Sequence, residues 1–587
     1  MAPLLKIIVA SSAAAAYVLG SRQTTGSWPT VILAFVLNFL SLWSLQFAAW
    51  VLWRVILYPK VFSPLRGLPG PTGNALFMGQ YSRIRAQPTG VPMADWINSI
   101  PNEGIIRYLG LFNAERILLT SPRALSEVLV TKSYDFTKPQ QLRFALGRLL
   151  GVGVLLAEGD EHRTQRRNLM PAFAFRHIKD LYPTFWAKAG EMVQAMAQQI
   201  RLDAAKEAKE PAYTGSDGSE KPDFNKAGQV MEIGDWASRA TLDIIGVAGL
   251  GQDFNSIANP DNELNQTYTK VMKPSPEAQR MALLTTLLPG WLVDRLPLKR
   301  NDDIHQAARL IRATCRNLIR AKKEKMAGGA QRTDHDILSV ALESGGFSED
   351  NLVDQLMTFL AAGHETTASS LTWAIYLLCC HPEVQARLRA EVRERLPSPS
   401  VATAKTGLDD AASISAIDID QMPYLNAVCS EVLRYFSPVP MTFREAARDT
   451  TVLGVRVPRG TRVLLAPWAV NRSHALWGPD ATRFNPDRWL TAPQRGEGEE
   501  GRAQGGGRGG ATSNYAFLTF LHGPRSCIGA SFAKAEFACL LAACVGRFEF
   551  ELEDKELVDE VKLDIKTAIT ARPAKGLHVR TRVVEGW

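Results

Sequence analysis

The seven cysteines of this chain, at 315, 379, 380, 429, 527, 539 and 544, include no CxxC pair. Cys539 and Cys544 are badly spaced for zinc, and an odd count in a long chain leaves no small disulfide framework. Six of the seven stand in apolar, helix-like surroundings, where a cysteine usually serves as a small buried hydrophobe. This usage fits a reducing, cytosol-facing compartment. A dense Lys/Arg run interleaved with aromatics is missing too. The formal net charge of +8 therefore points to an anionic membrane or an acidic protein partner, and away from nucleic acid. No internal repeat is present. The glycines of "EGRAQGGGRGGATS" precede no helix in the strand–loop–helix order that cradles phosphate, so they read as a flexible loop.

What the chain does have is length and a long apolar run near its start. Its 587 residues, 46% hydrophobic and 21% charged, suffice to bury a large core in one domain or several. Val31 to Trp53, "VILAFVLNFLSLWSLQFAAWVLW", carries no charge and is long enough to span a bilayer as a helix. Trp28, Trp50 and Trp53 sit towards its ends, as interfacial anchors do. Arg54, Lys60 and Arg66 follow, which puts the C-terminal body on the cytosolic side. An earlier stretch, Ile7 to Gly20, is apolar but short and Ala/Ser-rich. It is a candidate second span or interfacial segment, with a cleaved signal peptide as the competing reading. The predicted division is an apolar segment over 1–27, a transmembrane helix over 28–58, a Pro/Gly hinge over 59–75 and one large body over 76–587.

The hinge contains "SPLRGLPGPTGN", whose prolines and glycines stop the helix. The body reads mostly helical, with strand-like stretches such as "GIIRYLGL" and "TVLGVRV". Ala205 to Gln229, Pro397 to Asp420 and Gly496 to Ser513 read as polar surface insertions. The longest helical pattern runs from about Glu349 to Cys380 and stops before His381-Pro382. In its middle lies "AAGHETTASS". Gly363 there costs about 1 kcal/mol of helix stability against alanine, so something needs close backbone approach or a local opening of the ladder.

Four constellations carry chemistry. In "FLHGPRSCIGASF", Cys527 precedes an apolar helix, and helix N-termini lower a thiol's pKa. Such a sulfur is a nucleophile, a metal ligand or a buried helix cap. His522 is near, but nothing completes a nucleophilic set, and a single thiolate on iron fits better. Glycines at 523 and 529 would let backbone approach a large flat object, with Arg525 as a cation for an acid. In "SEVLRYFSP", Glu431 and Arg434 share a helix face at i, i+3. "FNPDRWL" places Arg488 after a Pro-Asp turn. In "GDEHRTQRRNLMPAF", His162 and Arg166 stand at i, i+4, able to meet one anion.

Taken together, these motifs resemble the cytochrome P450 family. Phe520, Gly523, Arg525, Cys527 and Gly529 match its cysteine-ligand signature residue for residue. Ala362 to Thr367 resembles its oxygen-activation motif, Glu431 and Arg434 its Glu-x-x-Arg pair, and Phe484 to Trp489 its meander. All stand in the family's order, and the resemblance covers the chain beyond the hinge. It implies a mainly α fold with small β-sheets, as a single catalytic domain behind an N-terminal membrane anchor.

The resemblance further implies haem b with Cys527 as axial thiolate, and backbone N–H groups of the Cys527–Gly529 loop around the sulfur. Glu365 and Thr366 would hold water and deliver protons to dioxygen; the plainer reading of Thr366 is a hydroxyl bonded back to its own helix. Gly363 and Ala362 would keep that helix thin. His162, Arg166, Arg444 and Arg525 would neutralise the haem propionates, while Glu431, Arg434 and Arg488 would form a structural charge network. Ala362, Val439, Met441 and Ile569 would line an apolar pocket. One departure stands out: the family commonly has tryptophan where this chain has His162, which can still donate to a propionate.

By the same resemblance the reaction is insertion of one atom of O2 into a hydrophobic small molecule. No flavin or iron–sulfur segment follows Cys527 before Trp587, so electrons from NADPH would come through a separate cytochrome P450 reductase, with cytochrome b5 as a further candidate donor. The place implied is the endoplasmic reticulum membrane, catalytic domain in the cytosol. The double apolar N-terminus, His162 and the insertions look like a filamentous-fungal member, whose relatives oxidise terpenoid, polyketide or alkaloid intermediates. The alternatives are a reductase-independent isomerase or dehydratase, a non-catalytic membrane-tethered haem- or sterol-binding module, and a membrane structural protein without haem.

Overall fold

The computed structural model describes residues 2–23, 28–86, 88–207, 228–272, 275–327, 336–399, 414–490, 508–567 and 569–587. The expected surface insertions lie largely outside the described residues, over 208–227, 400–413 and 491–507. At the N-terminus α1 (Ala2–Gln23) packs along α2 (Trp28–Val51). Ser12 and Ala16 of α1 are buried in that contact, and Ser11 Oγ donates to Gln46 Oε1 across it at 3.0 Å. No residue of α2 is buried, as suits a helix whose apolar surface is meant for lipid.

The helical run continues past the expected end at 58 and reaches Phe62, its last turns widened to π spacing around Pro59. Trp28–Phe62 is the one helix among the described residues long and apolar enough to cross a membrane. Its end docks on the body. Val55 and Pro59 are buried, Asn113 Nδ2 donates to Val55 O at 2.8 Å, and Arg107 Nη2 to Pro59 O at 2.5 Å. The Pro/Gly stretch that follows touches the body at Pro69 and Gly70: Pro69 O accepts from Arg107 N at 2.8 Å, and a Cβ on Gly70 would collide with Arg107 O.

The body holds α3 (Gly159–Leu169), α4 (Ile233–Ile244), α5 (Glu349–Cys380), α6 (Pro423–Tyr435) and α7 (Ala530–Arg547). Ser348 starts α5 by accepting from Asn351 N at 3.3 Å, with Glu349 and Asp350 in the favourable first turn. The helix stops at His381, ahead of Pro382. It packs against α4, α6 and α7 and is the axis of the larger, helical core.

A smaller core lies on a five-stranded sheet in the order Ile105–Leu109, Glu115–Leu119, Arg462–Leu465, Thr442–Ala446, Phe136–Thr137. "TVLGVRV" is two short strands, joined where Leu453 and Gly454 both take positive φ, 49° and 79°. The fold is thus mostly helical with small sheets.

Candidate active site

Cys527 lies in the loop that leads into α7. A short 3-10 turn over Gly523–Arg525 precedes it, and its N–H donates to Phe520 O at 2.8 Å. The residue keeps exposed surface, yet burial pushes its thiol pKa up, while the Gly529 N–H and the Arg166 charge pull it down. The expected lowering by the helix N-terminus is outweighed here by desolvation. His522 turns to Phe517 O, at 3.2 Å, and to the Tyr515 ring, leaving the sulfur without a base.

The two glycines of the loop differ in purpose. Gly523 has φ +75°, and a Cβ there would collide with Leu129 O, so the glycine admits a close approach of protein backbone. At Gly529 a Cβ would meet only Phe173, at 3.7 Å, and its N–H is what the sulfur uses.

Cations gather beside the loop. Arg166 on α3 donates to Ser526 O at 2.5 Å and to Ser526 Oγ at 3.3 Å. Arg525 is buried, stacked under Tyr134 and ion-paired to Glu158, with its Nε and Nη1 lacking hydrogen-bond partners. Arg444 is buried on its strand, and burial followed by the Arg525 charge lowers its pKa to about 10. Lys138 joins them, lowered well below its usual range by burial and then by Arg444. His162 Nδ1 lies 3.2 Å from Tyr134 Oη; burial, then Arg525, Lys138 and Arg166, bring its pKa from 6.5 to about 4. Glu158 is the acid these cations share.

On α5, Ala362 is exposed and Thr366 half-buried in the middle of an otherwise buried helix. The Thr366 hydroxyl donates to Ala362 O at 2.9 Å, the plainer of the two readings. The helix is unbroken at Gly363, and a Cβ there would stand 2.9 Å from Ile245 Cγ1, so this glycine admits a neighbouring helix. Glu365 is buried; its Oε1 accepts from Thr570 Oγ1 at 2.9 Å and its Oε2 pairs with Arg572. Val439, Met441 and Ile569 are each half-buried, Ile569 against the helical core and Met441 against the sheet core.

Glu431, Arg434 and Arg488 come together. Glu431 accepts from Arg434 at 2.7 and 2.8 Å, from Arg488 Nε at 3.1 Å, and from Asn485 N and Trp489 Nε1 at 2.8 and 2.9 Å. Arg434 spends its other N–H groups on the carbonyls of Asn471, Ala481 and Arg483.

The profile of the family described as Cytochrome P450 matches residues 104–578. The chain belongs to the cytochrome P450 family. Its relatives include cytochrome P450 monooxygenase ALT8 of Alternaria alternata, 45% identical over 92% of this chain and 93% of the relative. Another, FUM15 of Gibberella moniliformis, is 45% identical over 96% of each chain. A third, sphH of Aspergillus fumigatus, is 44% identical over 92% of each. Membership makes this P450 an oxidoreductase of the monooxygenase class, with a haem-thiolate centre implied.

The residues present fit that group. Among the described residues, Glu158 is the acid set against buried Lys138, Arg444 and Arg525, so the cluster is short of negative charge, and Arg525 keeps donors without partners. Two propionates are anions of the required kind. A sulfur that takes the Gly529 N–H fits a metal-ligating thiolate. Sequence reasoning missed Lys138, Tyr134 and Glu158, which belong to no motif. It also missed Asp480, which pairs with Arg488 at 2.8 Å, and the Thr570–Arg572 hold on Glu365.

Proposed function

We propose that this P450 is a membrane-anchored monooxygenase that inserts one atom of O2 into a hydrophobic small molecule, releasing the other as water. An electron pair comes from NADPH through a separate reductase, with cytochrome b5 as an alternative donor. The observation that carries the reading is the Cys527 loop, gripped by Arg166 at Ser526, beside a cluster of buried cations in which Arg525 keeps donors without partners. Haem, when bound through the Cys527 thiolate, would supply the iron chemistry that activates dioxygen.

The chain's own residues have separable tasks. Cys527 is the ligand, and the Gly529 N–H tunes it. Arg166, Arg444, Arg525 and His162, joined by Lys138, hold the propionates. Thr366 and Glu365 handle protons, and Glu431, Arg434 and Arg488 keep the loop before Cys527 in place. Ala362, Val439, Met441 and Ile569 face substrate. The apolar α2 anchor and positive flank support an endoplasmic reticulum location with the body in the cytosol. Fungal relatives named as monooxygenases support the reaction class, and the substrate we infer is a terpenoid, polyketide or alkaloid intermediate of secondary metabolism. The test compares metabolites of a host expressing this chain with a reductase against the same host without it. An intermediate that disappears with a product gaining oxygen is expected. A product of unchanged or dehydrated mass, formed without reductase, would favour the isomerase or dehydratase reading.

A further inference from the structure

The segment Ile569–Pro573 is stitched along one face of α5. Thr570 and Arg572 take the two oxygens of Glu365, and one turn further on Ser369 Oγ donates to Ala571 O at 2.9 Å. A turn beyond, Trp373 Nε1 donates to the same carbonyl at 3.0 Å, and Ala571 N donates to Pro438 O at 2.9 Å. This anchoring leaves Thr570 and Arg572 at fixed places over a buried carboxylate. Arg572 Nε also reaches Thr570 Oγ1 at 3.3 Å, which links the two holders. His364 Nε2 stands 4.0 Å from the same carboxylate, and burial keeps that ring's pKa below its usual value.

Among the described residues no hydrogen bond joins Glu365 to the Thr366 hydroxyl, which is engaged with Ala362 O. Adjacent residues on a helix point about 100° apart, so a proton passing between these two must cross by water. Where the carboxylate is held therefore decides whether the water chain forms. Arg572 keeps 20% of its side chain exposed beside a carboxylate that keeps 5%, so water at the guanidinium is the near supply of protons for the buried acid.

Resting on the reading that Glu365 delivers protons, we propose that Arg572, with Thr570, is the positioning residue that fixes the Glu365 carboxylate for proton transfer by water towards Thr366. Reduction of O2 to water splits the O–O bond and needs protons directed to one oxygen; failure of that delivery releases hydrogen peroxide after transfer of one electron pair and its two protons.

The experiment uses the full chain in lipid nanodiscs with NADPH and P450 reductase and no added substrate. It measures NADPH, O2 and hydrogen peroxide together, with the solvent deuterium effect on the water-to-peroxide ratio. Arg572→Met should lower that ratio about tenfold, with Arg572→Lys recovering part of it. The double variant Glu365→Gln/Arg572→Met should be no worse than Glu365→Gln alone, because both act on one group. Lys566→Met, at an exposed ion pair with Asp564, serves as the control for a merely structural effect. If Arg572→Met loses the haem-thiolate carbon monoxide band, Thr570→Val carries the test. A wild-type ratio and isotope effect in whichever of these variants keeps the band would overturn the inference. A banded wild type that consumes no NADPH would remove the oxygen-activation reading and the inference with it.

Discussion

Arg434 and Glu431, one turn apart on α6, form a two-pronged ion pair in which neither side chain keeps any exposed surface. Such a pair is sustained only because every remaining donor and acceptor is used, by three backbone carbonyls, Arg488, Trp489 and one backbone N–H. Glu431→Gln or Arg434→Leu should cost about 3–5 kcal/mol by leaving a buried charge unpaired. Chemical denaturation and haem content per chain measure it. Unchanged stability with an altered product profile would instead give the pair a catalytic part.

Gly363→Ala should destabilise through contact with Ile245, by about 1–3 kcal/mol less the helix gain of about 1 kcal/mol. Because the clash is with one side chain, Ile245→Ala in the same chain should be partly relieved by the new methyl group. A double-mutant cycle in thermal unfolding reads this coupling, and simple additivity would show that the glycine is needed for something else.

Glu536 on α7 is fully buried, neither oxygen has a hydrogen-bond partner of good geometry, and burial raises its pKa well above 4.5, with Thr367 pulling it down. The folded state must hold this acid protonated, whereas the unfolded chain releases the proton above pH 4.5. Stability is then lost as pH rises from that value. Glu536→Gln should raise the melting temperature at neutral pH, and the difference should close on acidification below about pH 4.5.

His162 works in the opposite direction. In the haem-free chain the unfolded ring takes a proton near 6.5 and the folded ring only near 4, so the stability it contributes is complete above the upper value and falls as pH drops through the window. His162→Trp, which cannot titrate, should show a shallower loss over that window in denaturation midpoints; parallel curves would contradict the assignment.

The motifs were legible because each is local. The Cys527 loop, the Glu431/Arg434 turn and the meander bring their residues together over a few positions, so spacing alone announces them. Lys138, Tyr134 and Glu158 arrive from a segment with no fixed spacing to Cys527, and Arg572 reaches Glu365 across most of a domain. Small residues are visible at 363 and 523, but their protein neighbours, Ile245 and the Leu129 carbonyl, are not. The Cys527 pKa was misjudged for a related reason, since a helix terminus can be read from sequence and depth of burial cannot.

Whether Cys527 binds haem iron is read most directly from the carbon monoxide difference spectrum of the dithionite-reduced, purified protein. Wild type and Cys539→Ser should show the red-shifted band of a thiolate-ligated haem, and Cys527→Ser should lose it. A colourless wild type, or a band that survives in Cys527→Ser, would contradict the account.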